Sequence, residues 1–283
     1  MKFGVNVANF GEYADARLLA DLARDAESSG WDGFFVWDHI AWTGEEAMVD
    51  PWVALAAIAT STRRIRIGPM VAALPRRRPA KLAREAVSLD HLSEGRLILG
   101  VGLGFHDREE FEDLGESSDL RARAGALDES LDVITGLWRG ERFSFAGKHF
   151  TVNEALFLPE PVQRPRIPIW VAGTWPIKAP FRRAARWDGV FPRTVDAAGN
   201  GLTLEQIREM VRFIGAVRGE SVHARSGPYE VVRAGCTTGD DREADARVIR
   251  DSAAAGVTWW HEFTRGLSVP QTRERIRRGP PAP

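Results

Sequence analysis

The chain has 283 residues, 44% of them hydrophobic and 27% charged, with 27 glycines; this usage excludes disorder, collagen and coiled coil and suits a globular protein with a sizeable core. Its 38 Lys and Arg stand against 39 Asp and Glu, so the basic footprint of a phosphate-backbone binder is missing and nucleic acid is not an expected partner. No run approaches the roughly 18 apolar residues of a membrane span, the opening MKFGVNVANF lacks the regions of a signal peptide, and the single cysteine fits a reducing compartment; a cytoplasmic protein with no membrane contact is expected.

Short β-rich apolar runs then alternate with longer stretches of helical spacing. A strand over residues 3–7 leads to a helix over 15–29, which Gly30 ends where a left-handed cap is needed. A strand over 33–37 precedes a helix over 51–61, with Asp50 as candidate cap and Pro51 in the first turn. The pattern repeats with strand 65–71 and helix 79–91, then strand 97–102 and helix 120–138. It resumes with strand 168–172 and helix 177–186, strand 188–191 and helix 204–218, strand 230–234 and helix 242–255, and strand 257–260 and helix 270–277. Eight such units imply right-handed crossovers and a parallel sheet, and favour an α/β (β/α)8 TIM barrel as one domain over residues 1–283.

One segment breaks the rhythm. Between the fourth helix and the fifth strand, over about 141–166, Phe143, Phe145, Phe150 and Val152 alternate around Ala146-Gly147-Lys148, which predicts an inserted hairpin. Such an arm can cover the barrel mouth, pack on another subunit, or simply stand in solvent.

In a barrel of this kind the site lies at the C-terminal ends of the strands. There the sequence places Trp37-Asp38-His39 and Trp42 after the second strand, Met70 and Val71 at the end of the third, and Gly102-Leu103-Gly104-Phe105-His106 after the fourth. Gly173-Thr174 follows the fifth, and Trp259-Trp260-His261-Glu262 ends the eighth. No metal is expected, because the ligand spacings of known sites are absent and Asn6 stands where a barrel metallohydrolase would carry histidine. Gly102 and Gly104 lack the rest of a dinucleotide fingerprint and mark a tight turn or a close approach. Gly173-Thr174, just ahead of a predicted helix, is either a phosphate seat or an ordinary helix cap. His39 is either structural or a proton donor near neutral pH tuned by a neighbouring carboxylate, and Cys236 reads as a small packed residue.

Three stretches carry a resemblance: RRRPAKLAREAVSLDHLSEGRLILGVGLGFHDREEFEDLG over 76–115, P-x-P-V-Q-x-P-x-I-P-I-W over 159–170 and R-R-A-A-R-W-D-G over 182–189. Together with the rim residues they resemble the bacterial luciferase-like monooxygenase family, whose members are flavin- or deazaflavin (F420)-dependent barrels. The resemblance implies a cofactor ring against the end of the third strand, where the family often carries a non-proline cis peptide, here Met70–Val71. It implies that the cofactor phosphate meets Gly173 and Thr174, that Gly102 and Gly104 lie under the ring, and that Asp38 and His39 hold the catalytic position. Trp37, Trp42, Phe105 and Trp260 become substrate-binding walls, with Phe10 beside them, and Glu110 a structural anchor for the loop after the fourth strand. Trp175-Pro176 and Ala72-Ala73 depart from the family pattern beside the phosphate and the ring. The implied reaction is oxygenation of a small organic substrate with reduced FMN from a separate flavin reductase. The alternatives are hydride transfer with F420 and a non-catalytic flavin-binding barrel; a homodimer is the assembly implied.

Overall fold

Strands and helices alternate in the computed structural model, which describes residues 1–41, 46–105, 107–194, 201–220, 228–237 and 239–281. The strands are β1 (Lys2–Val7), β2 (Gly33–Val36), β3 (Arg66–Pro69), β4 (Ala72–Ala73), β5 (Leu99–Gly102), β6 (Phe143–Ala146), β7 (Thr151–Ala155), β8 (Ile169–Trp175), β9 (Gly189–Thr194), β10 (Glu230–Gly235) and β11 (Trp259–Phe263). The helices are α1 (Ala16–Ser28), α2 (Pro51–Ser61), α3 (Pro79–Leu92), α4 (Asp107–Glu110), α5 (Leu120–Leu137), α6 (Lys178–Ala184), α7 (Leu204–Glu220), α8 (Arg242–Ala254) and α9 (Val269–Arg277).

All strands but β6 and β7 form one parallel sheet in the order β3-β2-β1-β11-β10-β9-β8-β5-β4. Because β3 and β4 are two halves of the third barrel strand, the two ends of this order meet. Ile67 bridges Leu97, with Ile98 N–H donating to the Ile67 carbonyl at 2.8 Å, and the sheet closes into the expected barrel. Closure needs a glycine at 68, since a Cβ there would fall onto the Ile98 carbonyl oxygen.

The boundaries differ from the sequence reading at two places that matter. The third strand is interrupted at Met70–Val71, a cis peptide, where the chain exchanges pairing with β2 (Val36 opposite Pro69) for pairing with β5 (Ala72 opposite Val101). The eighth strand starts two residues later than periodicity suggests, at Trp259 opposite Lys2, and runs on to Phe263. Apolar Val257 belongs instead to the turn that docks Thr258 N–H on the Val231 carbonyl.

Local signals mostly hold. The Asp50 carboxylate accepts from Trp52 and Val53 N–H, both at 2.9 Å, with Pro51 in the first turn. Gly30 has φ +87° just past α1, and Thr203 and Gln206 cap α7 reciprocally. The inserted hairpin forms, with Ala146 opposite Thr151, and lies back along α5. The Glu129 carboxylate of α5 accepts from Lys148, His149 and Phe150 N–H at 2.7–2.9 Å, and Phe143 packs on Gly136.

A large apolar layer separates sheet from helices, and a smaller cluster of Phe35, Met70, Ile98, Trp170, Phe191, Val232 and Trp259 fills the barrel. The quoted sequence stretches hold its N-terminal end together. Asp90 accepts from Val162 and Gln163 N–H, and buried Arg96 donates to the Ala59, Thr62, Ile65 and Ser93 carbonyls. Among the described residues no helix is long and apolar enough to cross a membrane.

Candidate active site at the barrel mouth

Strand alternation assigns each rim residue to a face. On β11, Trp259 and His261 point into the barrel: His261 stacks on Phe35 with centroids 4.5 Å apart, and Trp259 meets Trp170. Phe263, next on the same face, reaches the mouth beside Trp37 and Phe191. Trp260 and Glu262 point outward. Trp260 Nε1 donates to Glu262 Oε2 at 3.0 Å, and Glu262 also binds Thr237 and Arg275 of α9. Trp260 therefore sits beneath the helices rather than in the expected substrate wall; the reading that ended the strand at Trp260 assigned it to the wrong face.

His39 stands at the mouth, its ring edge-on to Phe10 and Trp37, with its side chain 16% exposed. Its Nδ1 lies 3.0 Å from Glu110 Oε1. That carboxylate, 1% exposed, also accepts from Ile40 N–H at 3.0 Å and from Arg76 at 3.3 Å. Burial works against ionisation of Glu110, but its bonds to His39, Arg76 and the Ile40 N–H outweigh it and leave the pKa below the ordinary carboxylate value. Glu110, expected as a loop anchor, is thus also the partner of the histidine ring. The signal for it was present: α4 is one short turn after β5, and only such a turn brings an acid 71 residues away in sequence back to the second strand.

Asp38 plays a different part from the one its position suggests. Its carboxylate is fully enclosed, accepting from Ala73 N–H at 3.1 Å and paired with Arg77 at 2.5 Å and Arg76 at 3.4 Å, while Arg76 also donates to the Asp38 carbonyl. It therefore ties the second strand's end to the segment after β4 and orients His39 through the backbone. Asn9 continues this frame, its Nδ2 donating to the His39 carbonyl at 2.7 Å.

The remaining candidates separate. Met70 is buried in the barrel cluster, while Val71, Ala172, Ala234 and Phe263 are its half-exposed upper members and form an apolar floor of mostly small side chains. Trp37 walls this floor and donates from Nε1 to Asn6 Oδ1. Gly102 backs the floor from β5, where a Cβ would press on Val71 at 2.9 Å. Gly104 has φ +86° and would meet Phe111 at 2.5 Å, so it shapes the loop that carries Glu110. Thr174 lies in β8 on the inward side, opposite Arg193, and not at a helix start, because the strand runs on to Trp175 and α6 begins only at Lys178. Gly173 faces outward, where its missing side chain makes room for Pro180 and Phe181. Phe105 is half exposed beneath the Arg193 guanidinium, 4.6 Å from its ring centroid. Trp42 and His106 lie outside the described residues. Cys236 is an exposed free thiol rather than a packed one, and among the described residues no cluster of three or more His, Cys, Asp or Glu suits a metal ion.

Comparison with known proteins gives consistent likenesses. A family model described as luciferase-like monooxygenase matches residues 1–280. An uncharacterized protein of Sinorhizobium fredii is 32% identical over 203 residues, 70% of this chain and 56% of that protein. The oxygenase component of a flavin-dependent trigonelline monooxygenase of Acinetobacter baylyi is 31% identical over 144 residues, 49% of this chain and 39% of that protein. The chain thus spans little more than half, or less, of the length of these relatives. Among solved structures, an F420-dependent secondary alcohol dehydrogenase superposes with a TM-score of 0.80 at 16% identity, covering 98% of this chain and 97% of that one, a likeness of fold.

Proposed function

The chain belongs to the luciferase-like monooxygenase family, and from that premise we propose that it is a flavin-dependent monooxygenase, taking reduced FMN from a separate reductase and using O2 on a small organic substrate. The observation that carries this reading is the His39–Glu110 pair at the edge of a small-residue floor inside an aromatic mouth. The 31%-identical relative named as a flavin-dependent oxygenase component supports a flavin and a separate reductase.

The residues present fit a flat cofactor. Val71, Ala172, Ala234 and Phe263 offer an apolar seat with little side-chain bulk, since three of the four side chains are small. Asn6 Nδ2, buried and without a hydrogen-bond partner, offers a donor to it. Thr174 is the hydroxyl available to a phosphate, with Gly173 keeping β8 close to α6; Met70, Gly102 and Gly104 support the seat from below and behind. Reduced flavin, when bound, supplies the electrons that activate O2.

The protein's own part is proton placement and exclusion of water. With the Glu110 carboxylate beside it, Nδ1 of His39 holds a proton and donates it to Oε1, which makes Nε2 the atom that exchanges a proton with bound ligand. Arg76 and the Ile40 N–H keep that carboxylate ionised and fixed. Phe10 and Trp37 flank the histidine, and Phe263 packs on the Trp37 ring, so a ligand beside the histidine meets apolar surface that limits its contact with bulk water.

An anaerobic fluorescence titration with reduced FMN and with F420 tests the assignment. Saturable binding of reduced FMN, with substrate-stimulated O2 uptake, is expected. Binding of F420 with no response to reduced FMN would overturn it in favour of hydride transfer, and FMN binding without O2 uptake on any substrate would leave a binding protein.

A further inference from the structure

The barrel has a second opening, at the end where the strands begin. There the first inward positions of β2 and β9 are Gly33 and Gly189, where a Cβ would press on the Trp259 ring at 2.9 Å and on Trp170 at 2.7 Å. The missing side chains let the two indoles lie across the barrel, edge to face with centroids 5.2 Å apart and each 1% exposed. They border a cavity of ≈ 330 Å³ whose charged lining is Lys2, Arg66, Asp188, Arg218 and Glu230. Its volume lies at the small end of the range for ligand sites, about 300–1,000 Å³, which suits a molecule of one or two rings. Both indole N–H groups are buried without an acceptor.

The charges around this cavity are uneven. Asp188 is taken, paired with Arg166 at 2.5 Å and accepting from Ile169 N–H at 2.8 Å. Arg218 donates to the Ala185 and Trp187 carbonyls and lies over the Tyr229 ring. Arg66 donates to the Gly95 carbonyl at 3.0 Å and to Gln163 Oε1 at 2.9 Å, both neutral, and has no carboxylate partner among the described residues. Lys2, over the Trp259 ring, meets Glu230 at 3.7 Å, beyond hydrogen-bond distance. Glu230 is therefore the one described lining carboxylate left to answer both Lys2 and Arg66.

We propose that this cavity is a second ligand site, separate from the mouth, for a small aromatic monoanion whose carboxylate answers Arg66 and Lys2 and whose ring packs on Trp170 and Trp259. A guanidinium fork binds a carboxylate at two points, and indoles take an aromatic ring by face or edge. The site uses no group of the mouth, so it stands or falls independently of the flavin reading.

Sodium benzoate and benzamide share a ring and differ in charge. Both are titrated against the full chain by nitrogen-15 NMR of the indole N–H groups, assigned with Trp37→Phe, Trp170→Phe and Trp259→Phe. Benzoate is expected to shift the Trp170 and Trp259 signals, leave Trp37 at the mouth unmoved, and bind at least about tenfold more tightly than benzamide. Glu230→Gln removes the competing carboxylate and should tighten benzoate about threefold or more, while Lys2→Gln should weaken it by a similar factor. Arg66→Gln should abolish the preference and Arg66→Lys restore part of it. If the Arg66 variants fail to fold, the opposite responses of Lys2→Gln and Glu230→Gln still decide the matter. No binding of benzoate, equal binding of the two ligands, shifts confined to Trp37, or weaker benzoate binding by Glu230→Gln would each overturn the proposal.

Discussion

Replacing Glu110 by glutamine probes the pair to which the proposed function assigns proton transfer. The carboxylate answers three groups: His39 and the Ile40 N–H on Oε1, and Arg76 on Oε2. Ile40 N–H and Arg76 can only donate. An amide has one acceptor oxygen, so in Glu110→Gln its NH2 must confront one of them, whichever way the amide is turned. Arg76 keeps Asp38 as counter-ion, which limits the damage. A cost of about 2 kcal/mol at pH 7 follows from one unsatisfied buried donor, lowering Tm by about 4 °C in a chain of this size. The loss is pH-dependent with a defined sign. Because the folded pKa of Glu110 lies below its ordinary 4.5, its contribution is complete above that value and fades as pH falls through the folded value. Wild type and variant should therefore converge at acid pH. Nitrogen-15 NMR should show neutral His39 carrying its proton on Nδ1 in wild type and a mixture of tautomers in the variant, and O2-coupled turnover should fall by about 100-fold or more. A variant with wild-type melting, tautomer and turnover would refute the role given to this carboxylate.

Three further changes test the frame around the site. His261 is fully buried among aromatic rings with neither ring nitrogen bonded, and burial pushes its pKa down to about 3. The unfolded chain takes up that proton below about pH 6.5 and the folded one does not, so wild type should lose about 2 kcal/mol between pH 7 and 5 that His261→Phe retains; parallel urea midpoints for the two proteins would contradict this. Gly104→Ala should cost about 2 kcal/mol or more, because φ is +86° and Phe111, held under the Arg123 guanidinium, cannot yield; an unchanged melting curve would count against the loop geometry. Trp260→Phe should lower stability by about 1 kcal/mol through its lost bond to Glu262 while leaving ligand titrations untouched, whereas altered binding would return Trp260 to the substrate wall.

The barrel and the position of its mouth were legible because eight apolar runs alternate with eight helical ones, and because proline, aspartate and glycine mark the helix ends. What escaped was decided by single-residue shifts and by contacts distant in sequence. One register difference at the eighth strand exchanged Trp260 for Phe263 at the mouth, since neighbouring residues on a strand face opposite ways. Glu110 and Arg193 reach the site from a short turn and from near the end of β9, which periodicity ended at Phe191. Gly173 resembled a ligand loop because the sequence does not show that β8 continues to Trp175, and the reason for a glycine there is Pro180 on α6. The residues that carry the family resemblance over 89–96 hold the opposite end of the barrel, so the most recognisable stretch builds the scaffold rather than the chemistry.

The claim that the mouth is the cofactor site is tested most directly by a crystal structure of the protein with FMN bound. The account predicts the ring over Val71, Ala172 and Ala234, with His39 Nε2 facing it and the phosphate end toward Thr174. Flavin bound away from the mouth, or in the mouth but out of reach of His39, would contradict it.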